Sequence, residues 1–163
     1  MWRPDMDELY EYRQDLMKRL VSVVDDLRAA AAVISSDGWH TPLEAGGWTP
    51  HQVLAHLRDI EAQSMAPNLR RILDESDPLL PAFDEDNLLE THYRPDESPG
   101  EILEEYARLR SQELTWLPDA TSAAAWNRTA RHPCLGVRTF QWWVERSLAC
   151  VEEHLRQLSD LAT

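Results

Sequence analysis

The chain contains a single lysine, Lys18, and no cluster of basic residues anywhere in its 163 positions. With a net charge of −13, that scarcity argues against binding nucleic acid or an anionic membrane through a general electrostatic field, because both would repel it. Long apolar runs are also missing. The longest aliphatic stretch, residues 29–34, is far too short to span a bilayer. The opening Met-Trp-Arg-Pro-Asp has no apolar core of a secretion signal. These absences predict a cytoplasmic protein with neither nucleic-acid nor membrane partners, in which its two cysteines, Cys134 and Cys150, stay reduced. The sequon Asn127-Arg-Thr129 carries no meaning in that setting. Glycine is scarce, and Gly46-Gly47 does not make a phosphate loop. There is no His-Glu-x-x-His pair and no serine nucleophile elbow. Strand-like alternation, internal repeats and heptad arrays are lacking as well.

What is present is an ordinary globular composition, long enough for one domain with a substantial core. Seven tryptophans suggest wide aromatic packing or pocket walls. From Asp5 to Ile34, Leu9, Leu16, Leu20, Val23, Leu27 and Ile34 recur at helical spacing. Ser35-Ser-Asp-Gly38 ends that helix, and a Pro/Gly-rich loop follows through Gly47. Thr49-Pro50-His51-Gln52 is a capping box opening a second helix. On it Val53, His56, Leu57, Ile60 and Ser64 share a face, so His56 points into the core. Pro67 should kink or interrupt this helix.

Residues 77–97 carry three prolines, many acids and no sustained period, which predicts a long irregular lid or solvated crossover. Ser98-Pro99-Gly100-Glu101 repeats the capping signature before a third helix that Pro118 stops. Residues 121–126 suit a short helical turn and 131–136 a loop. Thr139 caps a fourth long helix running to Leu161. Four amphipathic helices, with one long connection between the second and third, predict an all-α four-helix bundle.

The fourth helix presents Trp143, Ser147, Cys150, His154 and Leu161 as one stripe, flanked by Val144, Leu148, Val151, Leu155 and Leu158. Cys150 and His154 are one turn apart on the same side. Taken alone, the pair suits a small core hydrophobe beside a hydrogen-bonded histidine. With His56 facing inward from the second helix, three donors converge, as they do where bundles build metal sites. Asp59, three residues after His56, would sit beside such a site and orient a ligand. Arg146, one turn before Cys150, would favour a thiolate or an anionic substrate, or else pair with a surface acid. His40 and His51 read as solvent-exposed. His92 and His132 lie in loops that would have to fold over the bundle to contribute.

The run Gly-Gly-Trp48-Thr-Pro-His-Gln-Val-Leu-Ala-His56-Leu-Arg-Asp59 resembles the second-helix signature of the DinB-like (YfiT-like) metalloenzymes. The likeness continues through Arg70-Arg-Ile-Leu, Pro81-Ala-Phe-Asp84, Arg110, Trp126, Arg131-His-Pro-Cys-Leu-Gly136, Thr139 and His154-Leu-Arg-Gln157-Leu, covering roughly residues 8–160. The resemblance implies a bundle, often dimeric, with a divalent metal on three histidines. One falls on His56; the others come from a His-Asp-x-x-His motif on the last helix. The later of those falls on His154. The earlier falls on Cys150, and Val151 replaces the Asp after it. A cysteine ligand would shift preference toward softer ions, zinc or nickel. Characterised relatives look like S-transferases and isomerases dependent on a low-molecular-weight thiol, and for this chain the resemblance implies a thiol-dependent S-transferase or a hydrolase. The expectation is therefore a metal at His56, Cys150 and His154, a small-molecule substrate and a homodimer. The competing expectation is a non-catalytic bundle that has lost the ion and binds small molecules or a partner copy.

Overall fold

The computed structural model describes residues 4–162. Met1 to Arg3, part of the opening read as lacking a signal core, lie outside the described residues. Four long helical segments make the bundle: α1 (Pro4–Ala32), α2 (Pro50–Ile60) continued by α3 (Ala66–Asp74), α5 (Pro99–Trp116) and α7 (Phe140–Ser159). Between them lie α4 (Glu85–His92), a single turn α6 (Ala123–Trp126), and a hairpin of β1 (Thr129–His132) and β2 (Gly136–Thr139). Among the described residues no helix is long and apolar enough to cross a membrane.

The apolar periodicity accounts for the packing. Leu20, Val23 and Leu27 of α1, Leu54 and Leu57 of α2, Ile102 and Tyr106 of α5, and Val144, Val151 and Leu158 of α7 are all buried in one core. Each such aliphatic side chain contributes about 2 kcal/mol relative to exposure. The pattern overruns the core at both ends, where Leu9 and Leu161 are exposed. Trp126 is fully buried beneath Phe140, and its indole donates to the Asp119 carbonyl at 2.9 Å.

The capping box at Thr49 forms as expected: the Thr49 hydroxyl accepts from Gln52 N at 3.1 Å, and the Gln52 side chain accepts from Thr49 N at 2.9 Å. Thr139 likewise caps α7 by accepting from Trp142 N. Ser98 departs from expectation, since its side chain makes no cap hydrogen bond. Pro67 does interrupt the second helix. Having no N–H, it cannot continue the α ladder, and the turn before it, Glu61–Met65, widens to π geometry, with Ala66 N bonded to the Glu61 carbonyl.

Two elements lie where irregular chain was expected. Asp84 accepts from Asn87 N at 3.3 Å and starts α4, which is anchored by Leu88 against Ile60 and Met65. The 131–136 stretch is not a simple loop: it closes an antiparallel hairpin registered Thr129↔Thr139 through His132↔Gly136, with Gly136 at φ 71°. A positive φ is the conformation that glycine adopts without steric cost. Arg131 also exchanges backbone hydrogen bonds with the 78–80 segment, tying that crossover to the hairpin. Arg128 donates to the carbonyls of Ile72 and Glu75 at 2.7 and 2.6 Å, placing a cation at the C-terminus of α3, where the helix dipole favours one.

Candidate functional site

Trp48, immediately before the Thr49 cap, lays its indole edge-on to the His56 ring at 4.7 Å and parallel to the His154 ring at 6.2 Å. The two imidazoles meet edge to face with centroids 5.4 Å apart. His56, His154 and Cys150 all line one pocket of about 350 Å³, with Trp48 and Met65 among its walls and Glu85, Asp86, Glu153 and Arg146 as its charged groups. The inward placement of His56 is thus as read from the helix period, and both α7 donors face the same space. Among the described residues, however, no three His, Cys, Asp or Glu side chains are grouped closely enough to hold an ion together.

The three donors differ in how well they suit a metal. His56 is 2% exposed and its Nδ1 has no hydrogen-bond partner. Burial, and then the neighbouring His154, push its pKa down to about 4, so the ring is neutral at physiological pH and carries a free lone pair. A neutral, buried, unpartnered imidazole fits a ligand. His154 fits as well. Its Nδ1 donates to the Gln157 side-chain oxygen at 2.7 Å, the kind of outer contact that fixes a ligand's tautomer and orientation.

Cys150 fits poorly. It packs against the Ile60, Met65 and Leu88 cluster, and burial, followed by the charges of Glu85 and Glu61, pushes its thiol up to about 11. Arg146 opposes that shift and does not overcome it; its guanidinium lies over the Trp142 ring at 5.6 Å rather than paired with an acid.

Other expected residues fall elsewhere. Asp59 turns away from the pocket and accepts from Arg58 Nε at 2.9 Å; Arg58 in turn holds Glu97 and Glu105. Three residues of helix carry Asp59 about 60° round from His56, enough to face the α5 side. His51 is buried rather than solvent-exposed, with its two ring nitrogens engaged by the Tyr93 hydroxyl at 2.8 Å and the Glu97 carbonyl at 2.7 Å. His132 accepts from the backbone of Cys134 and Leu135 at 3.1 Å each, holding the hairpin turn. It lines an adjoining cleft of about 400 Å³ that shares Met65, Glu85, Asp86 and Arg146 with the first pocket. His92 bonds to Thr91 at the exposed end of α4.

The acids of α4 were missed because the crossover was read as irregular. Asp84 followed by two further acids is an N-cap with an acidic first turn, and that signal would have placed them on a helix. A second buried polar group lies behind the pocket. Arg110 and Glu113 of α5 and Glu61 of the π turn are nearly inaccessible. Arg110 donates to Glu61 at 3.3 Å and to the Tyr106 hydroxyl at 3.0 Å. Glu113 lies 3.3 Å from Arg110 Nε, yet neither of its oxygens makes a directed hydrogen bond to the guanidinium. Burial first, and then the Glu61 charge, hold the Glu113 proton well above the usual carboxylate range.

Residues 19–158, most of the chain, match the sequence profile of the DinB superfamily. The chain belongs to that superfamily. The fold of this DinB-superfamily chain is similar to that of YfiT from Bacillus subtilis, described as "a probable metal-dependent hydrolase with an unusual four-helix bundle topology". The TM-score is 0.81 at 22% identity, over 93% of this chain and 86% of YfiT. At that identity the likeness establishes the shared bundle. A 61-residue segment is 38% identical to a Bacillus licheniformis protein named "Putative metal-dependent hydrolase", covering 37% of this chain and 34% of that protein. The matched segment spans about a third of that relative's length.

Proposed function

We propose that this DinB-superfamily chain is a metal-dependent enzyme acting on a small molecule in the pocket between α2, α4 and α7. The observation that carries the reading is His56: a neutral imidazole, almost wholly buried, with an unpartnered Nδ1 and its ring edge toward His154. A core histidine kept only for packing would ordinarily satisfy both nitrogens. A bound divalent ion, zinc or nickel, would supply Lewis acidity to polarise an electrophile or lower the pKa of water. The chain's own contribution is positional. His56 and His154 would hold the ion, Gln157 fixes the His154 ring, and Trp48 packs against both imidazoles. Glu85, Asp86 and Glu153 line the space with carboxylates, and Arg146 can pair with an anionic part of a substrate.

Hydrolysis is preferred to S-transfer because both named relatives carry hydrolase names. A low-molecular-weight thiol as co-substrate is the variant of this reading to test second. A homodimer in the cytoplasm belongs to the same proposal. The alternative, a metal-free pocket that binds a small molecule or a partner copy, draws on the lack of a ready three-donor group among the described residues. Elemental analysis of untagged protein purified without added metal separates the two. Near-stoichiometric zinc or nickel that disappears in His56→Ala supports the enzyme. Trace metal unchanged by that substitution overturns it.

A further inference from the structure

The cleft of about 400 Å³ beside the histidine pocket shares Met65, Glu85, Asp86 and Arg146 with it. That volume lies in the range of small-molecule sites, roughly 300–1,000 Å³. Its polar lining says more than its size. Asn68, near the start of α3, is only 5% exposed, and its side chain makes no hydrogen bond among the described residues. A buried amide ordinarily pairs both its oxygen and its NH2 group. Neither Asn68 amide atom is among the fully enclosed unpartnered ones, so both keep access to the cleft that the residue lines.

The charges of the cleft are equally unspent. Arg146 comes from α7, and Glu85 and Asp86 come from the first turn of α4. None of the three makes a hydrogen bond or ion pair among the described residues. The Arg146 guanidinium stacks over Trp142 at 5.6 Å, which leaves its in-plane N–H donors free. A third acid, Asp84, is already engaged as the cap of α4. Charges of both signs that line one space without closing on each other make it dipolar. A simple anion would meet two carboxylates there, and a simple cation would leave Arg146 unmatched. A molecule carrying both charges satisfies all three groups. Phe83, Leu135 and Trp143 add an apolar wall.

On the footing of the small-molecule site proposed next door, we infer that this cleft takes a dipeptide-like zwitterion. Its ammonium is held by Glu85 and Asp86, its carboxylate by Arg146, its internal amide by Asn68, and an apolar side chain rests against Phe83, Leu135 and Trp143.

Titration calorimetry of the protein as purified, with alanyl-phenylalanine, its N-acetyl form and its C-terminal amide, tests this. The free dipeptide should bind one per chain, and loss of either charge should weaken it by at least about tenfold. Arg146→Gln should erase the difference between the acid and amide forms. The double variant Glu85→Gln with Asp86→Asn should erase the difference between the free and acetylated amines. Asn68→Ala should weaken all three ligands alike. The three charged side chains are at least partly exposed, so their variants should melt like wild type; the ligand series on wild type needs no variant at all. Equal binding of the three ligands, tighter binding of the acetylated form, or no binding of the dipeptide overturns the inference. Should that happen in protein that holds zinc or nickel through His56, the metal-enzyme reading still stands. Should the charge-dependent pattern appear in protein that holds no metal, the cleft assignment stands and the metal-enzyme reading falls.

Discussion

Replacing Glu113 by glutamine should make the chain gain stability over wild type steadily as pH rises. Glu113 is 1% exposed, beside Glu61 and Arg110, and burial together with the Glu61 charge keeps its proton on above neutrality. In the unfolded chain the same group ionises near pH 4.3. Between those limits the folded state binds one more proton than the unfolded state, so this group's contribution to stability falls as pH rises through that window. At pH 7 the ionisation available only to the unfolded chain is worth about 4 kcal/mol, a figure set by the unfolded pKa and not by how far the folded value is raised. Glutamine is neutral in both states and removes that term. It also adds an amide donor, which costs about 1–3 kcal/mol if left unpaired, so the absolute difference at any single pH is less telling than its slope. Urea denaturation of both proteins at pH 5, 6, 7 and 8 reads the slope. The stability difference, variant minus wild type, should grow by about 1.4 kcal/mol per pH unit. A difference that stays flat, or a variant that loses ground as pH rises, would mean that Glu113 is ionised in the fold and paired with Arg110.

Three further outcomes follow from the same structure. In metal-free protein, the lowered pKa of His56, about 4, means that the unfolded state takes up a proton first on acidification. Stability should therefore be lost as pH falls below about 6.5, by about 2 kcal/mol at pH 5, and His56→Gln should flatten that limb in acid melts. Thr49→Ala removes a cap that also positions Trp48; it should cost about 1 kcal/mol in denaturant titration and red-shift tryptophan emission as the Trp48 indole loosens. Leu88→Ala, at the one buried residue of α4, should cost about 2–4 kcal/mol if α4 unfolds only with the whole domain. A much smaller loss, with faster hydrogen exchange confined to residues 85–92, would show that α4 opens on its own.

Much of the bundle was legible in the chain because its signals are local. The 3.6-residue period of α1, α2, α5 and α7, the Thr49 and Thr139 caps and the Pro67 interruption each depend on residues a few positions apart. The same period pointed His56 inward. What was missed depends on partners far away in sequence. His51 is buried because Tyr93 and Glu97, more than forty residues on, close over it. The burial of Arg110 and Glu113, one turn apart, depends on Glu61, which reaches Arg110 from the π turn, 49 residues before it. Helix α4 buries only Leu88, too little for a periodic signal, and the hairpin strands are four residues each, too short for alternation to register. Asp59 was drawn toward the site by sequence proximity alone, while its carboxylate is claimed by Arg58.

The central claim is that His56 and His154 share a metal ion. A crystal of protein purified without added metal, measured at wavelengths on either side of the absorption edges of zinc and nickel, would test it most directly. The account predicts an anomalous peak within bonding reach of both imidazoles, beneath Trp48. A peak there that binds neither ring, or featureless density between α2 and α7 in protein whose elemental analysis shows no metal, would contradict it.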